Sequence, residues 1–389
     1  MHILHFALDD KFIPLQADMS EEAFPGATQL RILPPDGATT LHTTESASLR
    51  HVDADYFDGS AELRADIAQA DCVLVHGMTH EFAGALEYVP DAVLVLWGAW
   101  GYEYVNELPH LGSGLLPSSS DHQRRLAWRR RLLQVTNADR RRRLIRRLRG
   151  RFVPNQTIDR FGLLAAARHL DLVNVNPVDL PKIHAAIPDF TADYHHFAYY
   201  TTEDTFAVGV DMAGPDILLG NSASPTNNHI PAMELLKEVD LTGRRIFVPL
   251  SYGDDRYARH VAQLGNRWFG DAFVAMIDFL PLADYNEAVS RCGTAILNHV
   301  RQQGIGNASM ALYKGATLYL RPESTLHPFF TEMGAFVRDV DDLPTTLNDP
   351  QSDEQRQANR DVVGEYWSRK RGVDALRGLA PRVAAHQDG

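Results

Sequence analysis

Cysteine is almost missing from this chain: Cys72 and Cys292 are the only two in 389 residues. They lie far apart in sequence, each beside an apolar run. That excludes a disulfide scaffold and points to core packing in a reducing compartment. Long apolar runs are missing as well, since no stretch approaches the roughly 18–20 residues needed to span a bilayer. The opening "MHILHFALDDKF" brings acids where an export signal needs a longer apolar run. A cytosolic protein, or one attached to a membrane from the cytosolic side, is therefore expected. Low-complexity tracts and short-period repeats do not occur. Neither do HExxH, CxxC or DxD-like signatures placed after a strand, so no metal and no separate cofactor is expected.

What is present is enough chain for two domains, each able to bury its own interior. The composition is that of an ordinary globular protein, with 44% hydrophobic and 23% charged residues. Charge is spread unevenly. The formal net charge is −12, yet "RRLAWRRRLLQVTNADRRRRLIRRLRGRF" (124–152) holds thirteen arginines and one acid, Asp139. Without that segment the chain has 25 basic and 49 acidic residues. A strongly basic patch has been set into an acidic protein, and an anionic partner is expected there.

Beyond about residue 213, short β-rich runs alternate with helix-length amphipathic segments. The runs are "DILLGN", "RIFVPL", "AFVAMIDFL", "TAILNHV", "ATLYL" and "AFVRDV". Between them come "IPAMELLKEV", "DDRYARHVAQLGNRWF", "LADYNEAVSRC" and "NASMALYKGA". Such alternation with short connections predicts parallel βαβ units and a doubly wound sheet. In the first half "HILHFAL", "DCVLVHG", "AVLVLWG" and "HLDLVNV" are strand candidates, with the basic segment between the last two. The expected division is 1–212, 213–350 and a polar helix over 351–389 that packs back across the domain junction.

Ligands of doubly wound sheets bind beyond the carboxyl ends of the strands. Gly220, Asn221 and Ser222 stand at such an end, with Asn227, Asn228 and Pro231 close behind. They make either an anion cradle or a plain turn with a helix cap. A second strand end carries Arg301, Gln302, Gln303, Gly304 and Gly306, then Asn307 and Ser309 on the first helical turn. Free N–H groups at a helix start, with an arginine beside them, suit a diphosphate. The pattern is neither a P-loop nor the dinucleotide fingerprint. Glu323 follows the next strand, where a carboxylate can accept from ribose hydroxyls. Tyr252, Phe279 and Leu280 end two further strands and can wall a base, although such residues also serve as core. In the first half His76, Glu103 and Asp9 or its neighbour Asp10 qualify by position as a base that deprotonates a hydroxyl. A purely structural role is open for each.

In order, "GNS…NNHI", "VPLSYG", "RQQGIG" and "RPES…PFF" resemble glycosyltransferase family 56, the bacterial TDP-N-acetylfucosamine:lipid II N-acetylfucosaminyltransferases. The likeness runs over about 216–335, with "HG" at 76–77 and "WG…YE" at 97–103 similar in the first half. The resemblance implies a GT-B fold, two Rossmann-like domains facing across a cleft with the donor held mainly by the second. It also implies inversion at the anomeric carbon without a metal. The donor would be a TDP-activated 4-acetamido-4,6-dideoxygalactose, and the acceptor a glycan on polyprenyl diphosphate. Other expectations compatible with the residues are a GT-B transferase or sugar-nucleotide epimerase of other specificity, or a non-catalytic membrane-bound nucleotide-sugar-binding protein.

A lipid-linked acceptor gives the arginines a reason. Trp128, Leu132 and Val135, then Leu144, Leu148 and Phe152, recur at helical spacing. Arg129, Arg130, Arg131, Arg140, Arg141, Arg142, Arg143, Arg146 and Arg147 fill other faces. That pattern suits the plane of an anionic bilayer, and each arginine near such lipid is worth roughly 1 kcal/mol. Peripheral attachment at the cytoplasmic face of the bacterial inner membrane is expected, the alternative being a solvated, salt-bridged helical hairpin against the acidic body. Nucleic acid is not, because no aromatic-rich sheet or recognition helix accompanies the charge.

Overall fold

A computed structural model describes residues 1–34, 42–105, 114–116, 158, 160–187, 189–278, 280, 282–349 and 351–388. Two parallel sheets organise them. The first contains β1 (Ile3–Leu8), β2 (Thr28–Leu33), β3 (Leu49–His51), β4 (Cys72–His76), β5 (Leu94–Gly98), β6 (Leu172–Asn174) and β7 (Asp193–Tyr194). Its spatial order is β3-β2-β1-β4-β5-β6-β7. The second contains β8 (Ile217–Leu219), β9 (Ile246–Pro249), β10 (Phe273–Met276), β11 (Thr294–Leu297), β12 (Thr317–Leu320) and β13 (Arg338–Asp339). Its order is β10-β9-β8-β11-β12-β13. Both sheets are doubly wound, reversing direction between β1 and β4 in the first and between β8 and β11 in the second.

Burial explains why these runs become strands. Every residue of β4, β5, β8, β9 and β11 is buried, as expected for parallel strands covered by helices on both faces. Helices complete each layer by the same logic. In Asp255–Phe269 the inward residues are Tyr257, Ala258, Val261, Ala262 and Gly265. Its start is set by the Asp254 carboxylate, which accepts from the N–H groups of Arg256 (2.8 Å) and Tyr257 (3.0 Å). Cys72 and Cys292 are both buried and free, and burial pushes both thiols well up.

The stretch expected as one C-terminal helix is three. Asp353–Tyr366 begins at a capping box made by Ser352 and Gln355, and packs on the helix Ile305–Tyr313 of the second domain. It ends at Trp367. Ser368 caps Arg369–Arg377, and Leu379–Asp388 follows. Val373, Leu376, Leu379 and Val383 of these last two helices bury against Ile3, Met19, Leu74 and Leu96 of the first domain. No described helix is long and apolar enough to cross a membrane.

Candidate active site

The reversal between β8 and β11 opens a crevice at the carboxyl ends of both strands. Two loops enter it. Gly220 has φ +72°, and a Cβ there would lie 2.5 Å from His229 Nε2 and 2.8 Å from Asn227 Oδ1. No other residue fits. Its N–H donates to Ile296 O of β11 (2.9 Å). Asn227 then organises the turn. Its Oδ1 accepts from the N–H of Asn221 (2.9 Å) and from His299 Nε2 (2.9 Å), while its Nδ2 donates to Ser222 Oγ (3.1 Å).

The second loop knits onto the first. Gln303 accepts from Thr226 Oγ1 (2.6 Å) and donates to Asn221 Oδ1 (3.4 Å), and Arg301 reaches Thr226 Oγ1 at 3.4 Å. Gly304, at φ +72°, is the N-cap of Ile305–Tyr313. Gly220, Asn221, Ser222, Arg301, Gln303 and Gly304 therefore converge at the start of one helix, whose first N–H groups and dipole favour an anion. Burial pulls the Arg301 guanidinium below its ordinary value, and arginine remains charged there. Asn307 is half-buried on the first turn.

Other expected donor residues separate from this group. Ser309 is fully buried and its hydroxyl accepts from the Trp367 indole N–H (2.9 Å). That corrects its assignment, because the hydroxyl is used by the interior. Gly306 faces the Tyr200 ring, 3.3 Å from where a Cβ would stand. Tyr252 is 60% exposed beyond β9, and its hydroxyl meets the Ser222 side chain. The chain next to it is held by Ala223, which receives Asp254 N–H and donates to Tyr252 O. Leu280 is half-buried against the second domain's core, and Phe279 lies outside the described residues. Glu323 is exposed and paired with Arg321 Nε (3.3 Å). Arg321 was missed by the sequence reading, although "RPES" contains it. Nearly buried, it donates to Asn298 Oδ1 (3.1 Å) and pairs with Asp341 (3.1 Å), tying three strand ends together.

Across the crevice, two of the three candidate bases are withdrawn from solvent. His76 is wholly buried, stacked on His5 with 5.2 Å between ring centroids. Tyr199 donates to Gly98 O (2.9 Å), so His76 Nδ1 must donate to Tyr199 Oη (3.3 Å) and His76 Nε2 must accept from His5 Nδ1 (2.9 Å). Burial holds the His76 imidazole well below its ordinary value and His5 at about 3. His76 is corrected to a neutral interior residue with both nitrogens engaged. Glu103 is also fully buried. Its Oε1 accepts from Met78 N–H (3.2 Å) and Trp100 N–H (3.1 Å), and Oε2 from Trp100 N–H (3.1 Å). It thereby joins the loops after β4 and β5, and burial raises its carboxyl to about 7. Geometry makes it a brace for those loops.

Asp9 follows β1 at the first sheet's reversal point and is 9% exposed. Its carboxylate accepts from His42 N–H (2.8 Å), Thr43 N–H (2.9 Å) and Thr43 Oγ1 (2.6 Å). Asp10 is half-buried and accepts from Phe12 N–H (3.0 Å). First-domain backbone reaches the second domain's loop at two glycines. A Cβ on Gly101 would stand 2.3 Å from Gln302 Oε1, and one on Gly114 2.8 Å from Arg301 Cδ. Arg129, Arg130, Arg131, Arg140, Arg141, Arg142, Arg143, Arg146 and Arg147 lie outside the described residues.

Residues 196–335 match the sequence model of a family described as 4-alpha-L-fucosyltransferase, glycosyl transferase group 56. Among solved structures, Anabaena HepE in complex with UDP and glucose superposes with a TM-score of 0.56 at 10% identity, over 99% of this chain and 100% of that one. Sucrose-phosphate synthase from Thermosynechococcus elongatus gives 0.59 at 10% identity, over 99% and 100%. AviGT4, a glycosyltransferase involved in avilamycin A biosynthesis, gives 0.52 at 10% identity, over 99% of each chain.

Proposed function

We infer that this chain, a glycosyltransferase with the GT-B fold whose residues 196–335 carry the group 56 sequence, moves an amino-dideoxy sugar from a TDP-sugar to a glycan on polyprenyl diphosphate. The sugar we propose is 4-acetamido-4,6-dideoxygalactose. One observation carries the donor half of this reading. The Gly220–Ser222 and Arg301–Gly304 loops are knitted together at the start of Ile305–Tyr313. Amide donors, a guanidinium and a helix dipole aimed at one point suit a diphosphate. HepE, with the same fold, binds UDP. Glu323, exposed beyond β12, is suited to the ribose, and exposed Tyr252 beyond β9 to the base.

In this mechanism the acceptor hydroxyl attacks the anomeric carbon in line, opposite the leaving TDP, and configuration inverts. Negative charge developing on the diphosphate is stabilised by Arg301, Asn221, Ser222 and the 303–307 N–H groups. These need no reorganisation, since the loops are fixed by their own hydrogen bonds before substrate arrives. The proton passes to a first-domain carboxylate. Of the three candidates Asp9 is favoured, because His76 and Glu103 are fully enclosed while Asp9, at 9% exposure, is the least buried and stands at the reversal point of its sheet. The acceptor's lipid accounts for the basic segment 124–152, and we propose attachment to the cytoplasmic face of the bacterial inner membrane through it.

A binding panel of TDP, UDP and GDP, followed by transfer to a polyprenyl-diphosphate acceptor, tests the reading. TDP should bind best, and preference for UDP or GDP would refute the donor assignment. Asp9→Asn should keep TDP binding and lose roughly 100- to 10,000-fold in turnover. A near-parental rate would remove Asp9 from the chemistry.

A further inference from the structure

Asn228 is the only non-glycine residue with left-handed backbone among the described residues, at φ +50°. It is completely buried, between the short turn Pro225–Asn227 and the helix His229–Leu236. Left-handed backbone is unfavourable for any residue with a Cβ, least so for asparagine. Its side chain makes contacts that a turn alone would not need. Oδ1 accepts from Leu116 N–H (3.0 Å), and Nδ2 faces the carbonyls of Gly114 (3.0 Å), Thr226 (3.1 Å) and Asn298 (3.1 Å). Asn298 Nδ2 in turn donates to Asn228 O (2.9 Å). Its neighbour Asn227 bonds only within the donor loops, whereas Asn228 reaches a segment more than a hundred residues earlier. That segment also lies against Arg301, since a Cβ on Gly114 would stand 2.8 Å from Arg301 Cδ.

We propose that Asn228 is a positioning residue for sugar transfer. It holds the backbone of 114–116 on the diphosphate loop, so that this stretch from the acceptor-side half is registered against the donor. It touches no substrate itself. The donor loop is fixed by its own hydrogen bonds, so loss of the tie shifts 114–116 against it rather than the shape of that loop. Misplacement by about 1 Å is enough to cost about 100-fold in rate. The inference rests on the donor site proposed above.

Asn228→Gly tests it, because glycine adopts φ +50° freely and removes all four side-chain contacts. A cooperative melt no more than several degrees below the parent's is expected, with TDP affinity within about threefold. Hydrogen exchange at Leu116 should speed about tenfold, the equivalent of one buried hydrogen bond. Transfer at saturating donor should fall about 10- to 100-fold. Asn228→Asp retains an oxygen for Leu116 N–H and loses the amide donor, so it should fall between parent and glycine variant in both exchange and transfer. Parental transfer in the glycine variant overturns the proposal, as does unchanged exchange at Leu116. Equal losses of TDP binding and transfer would also overturn it, by making Asn228 part of the donor site. If the parent binds UDP or GDP in place of TDP, the donor reading falls. The Leu116 and transfer comparisons, run with that nucleotide's sugar, then still decide the role of Asn228.

Discussion

Replacing Glu103 by glutamine changes one oxygen for an amide group at a site with no solvent, and the consequences divide cleanly by pH. In the folded protein burial raises this carboxyl from 4.5 to about 7. The folded state therefore holds the proton more tightly than the unfolded chain does. The contribution to stability is complete below about pH 4.5 and is lost as pH rises through 7. At about 1.4 kcal/mol per pH unit, the loss amounts to roughly 3 kcal/mol between pH 4 and pH 8. Glutamine does not ionise and loses nothing over that range. Its amide end instead faces Trp100 N–H, where Oε2 now accepts, a cost on the order of 1–2 kcal/mol at every pH. Urea unfolding of parent and variant at several pH values gives the difference directly. The variant should be the less stable at pH 4 and should gain on the parent through the window 4.5–7, drawing level or passing it by pH 8. A difference independent of pH would refute the argument that burial sets this proton. Turnover at pH 8 supplies the second reading, since a brace for the β4 and β5 loops should leave the rate within about threefold. A loss of 100-fold or more with TDP binding retained would restore Glu103 as the base.

Arg301→Gln should weaken TDP binding about 10- to 100-fold in calorimetry, because hydrogen bonds to charged groups are worth roughly 1.5–3 kcal/mol. Unchanged affinity would remove the arginine from the diphosphate site. Replacing Arg140–Arg143 with glutamine should reduce binding to anionic liposomes at low salt and slow transfer to a long-chain lipid acceptor, while transfer to a short water-soluble acceptor stays near parental. Equal loss on both acceptors would assign the segment to the fold or the cleft instead of the membrane.

Strands were legible where both faces are buried. "HILHFAL", "DCVLVHG" and "AVLVLWG" read as continuous apolar runs because helices cover both sides of β1, β4 and β5. β2 escaped because "TQLRIL" contains Arg31, whose charge is matched by Asp66 through contacts at 2.7 and 2.9 Å. A pairing across thirty-five positions leaves no local trace. β3 and β7, of three and two residues, are too short for a period. The donor loops were visible as glycine and asparagine at strand ends, a local signal. The corrected residues show the opposite case. His76 at a strand end reads as exposed, but parallel register sets Ala7 beside His76 and His5 beside Leu74, so alternation carries both imidazoles to one face. Only the pairing of two distant strands reveals that. Ser309, similarly, is turned inward by a tryptophan fifty-eight residues later.

The joins between the domains differ in kind, and the difference bears on how such a cleft works. Away from the crevice, the last helices bury Val373, Leu376, Leu379 and Val383 in the first domain, while Trp367 packs in the second. There Arg369 gathers Asp18 (2.6 Å), Glu22 (2.9 Å) and Asp204 (3.0 Å). Apolar burial at about 25 cal/mol per Å² makes that side the durable connection, and the ion pairs, exposed as they are, add little. At the crevice the contacts among the described residues include the polar groups of Asn228, Asn176 and Asp179, and two glycines that admit close approach. Polar contacts of this sort exchange for water at small net cost. On the reading proposed above, a sugar nucleotide and its acceptor both enter between the domains. The polar contacts beside the donor loops are therefore the ones that an entering substrate would exchange at least cost, while the apolar join at the C-terminal helices stays buried.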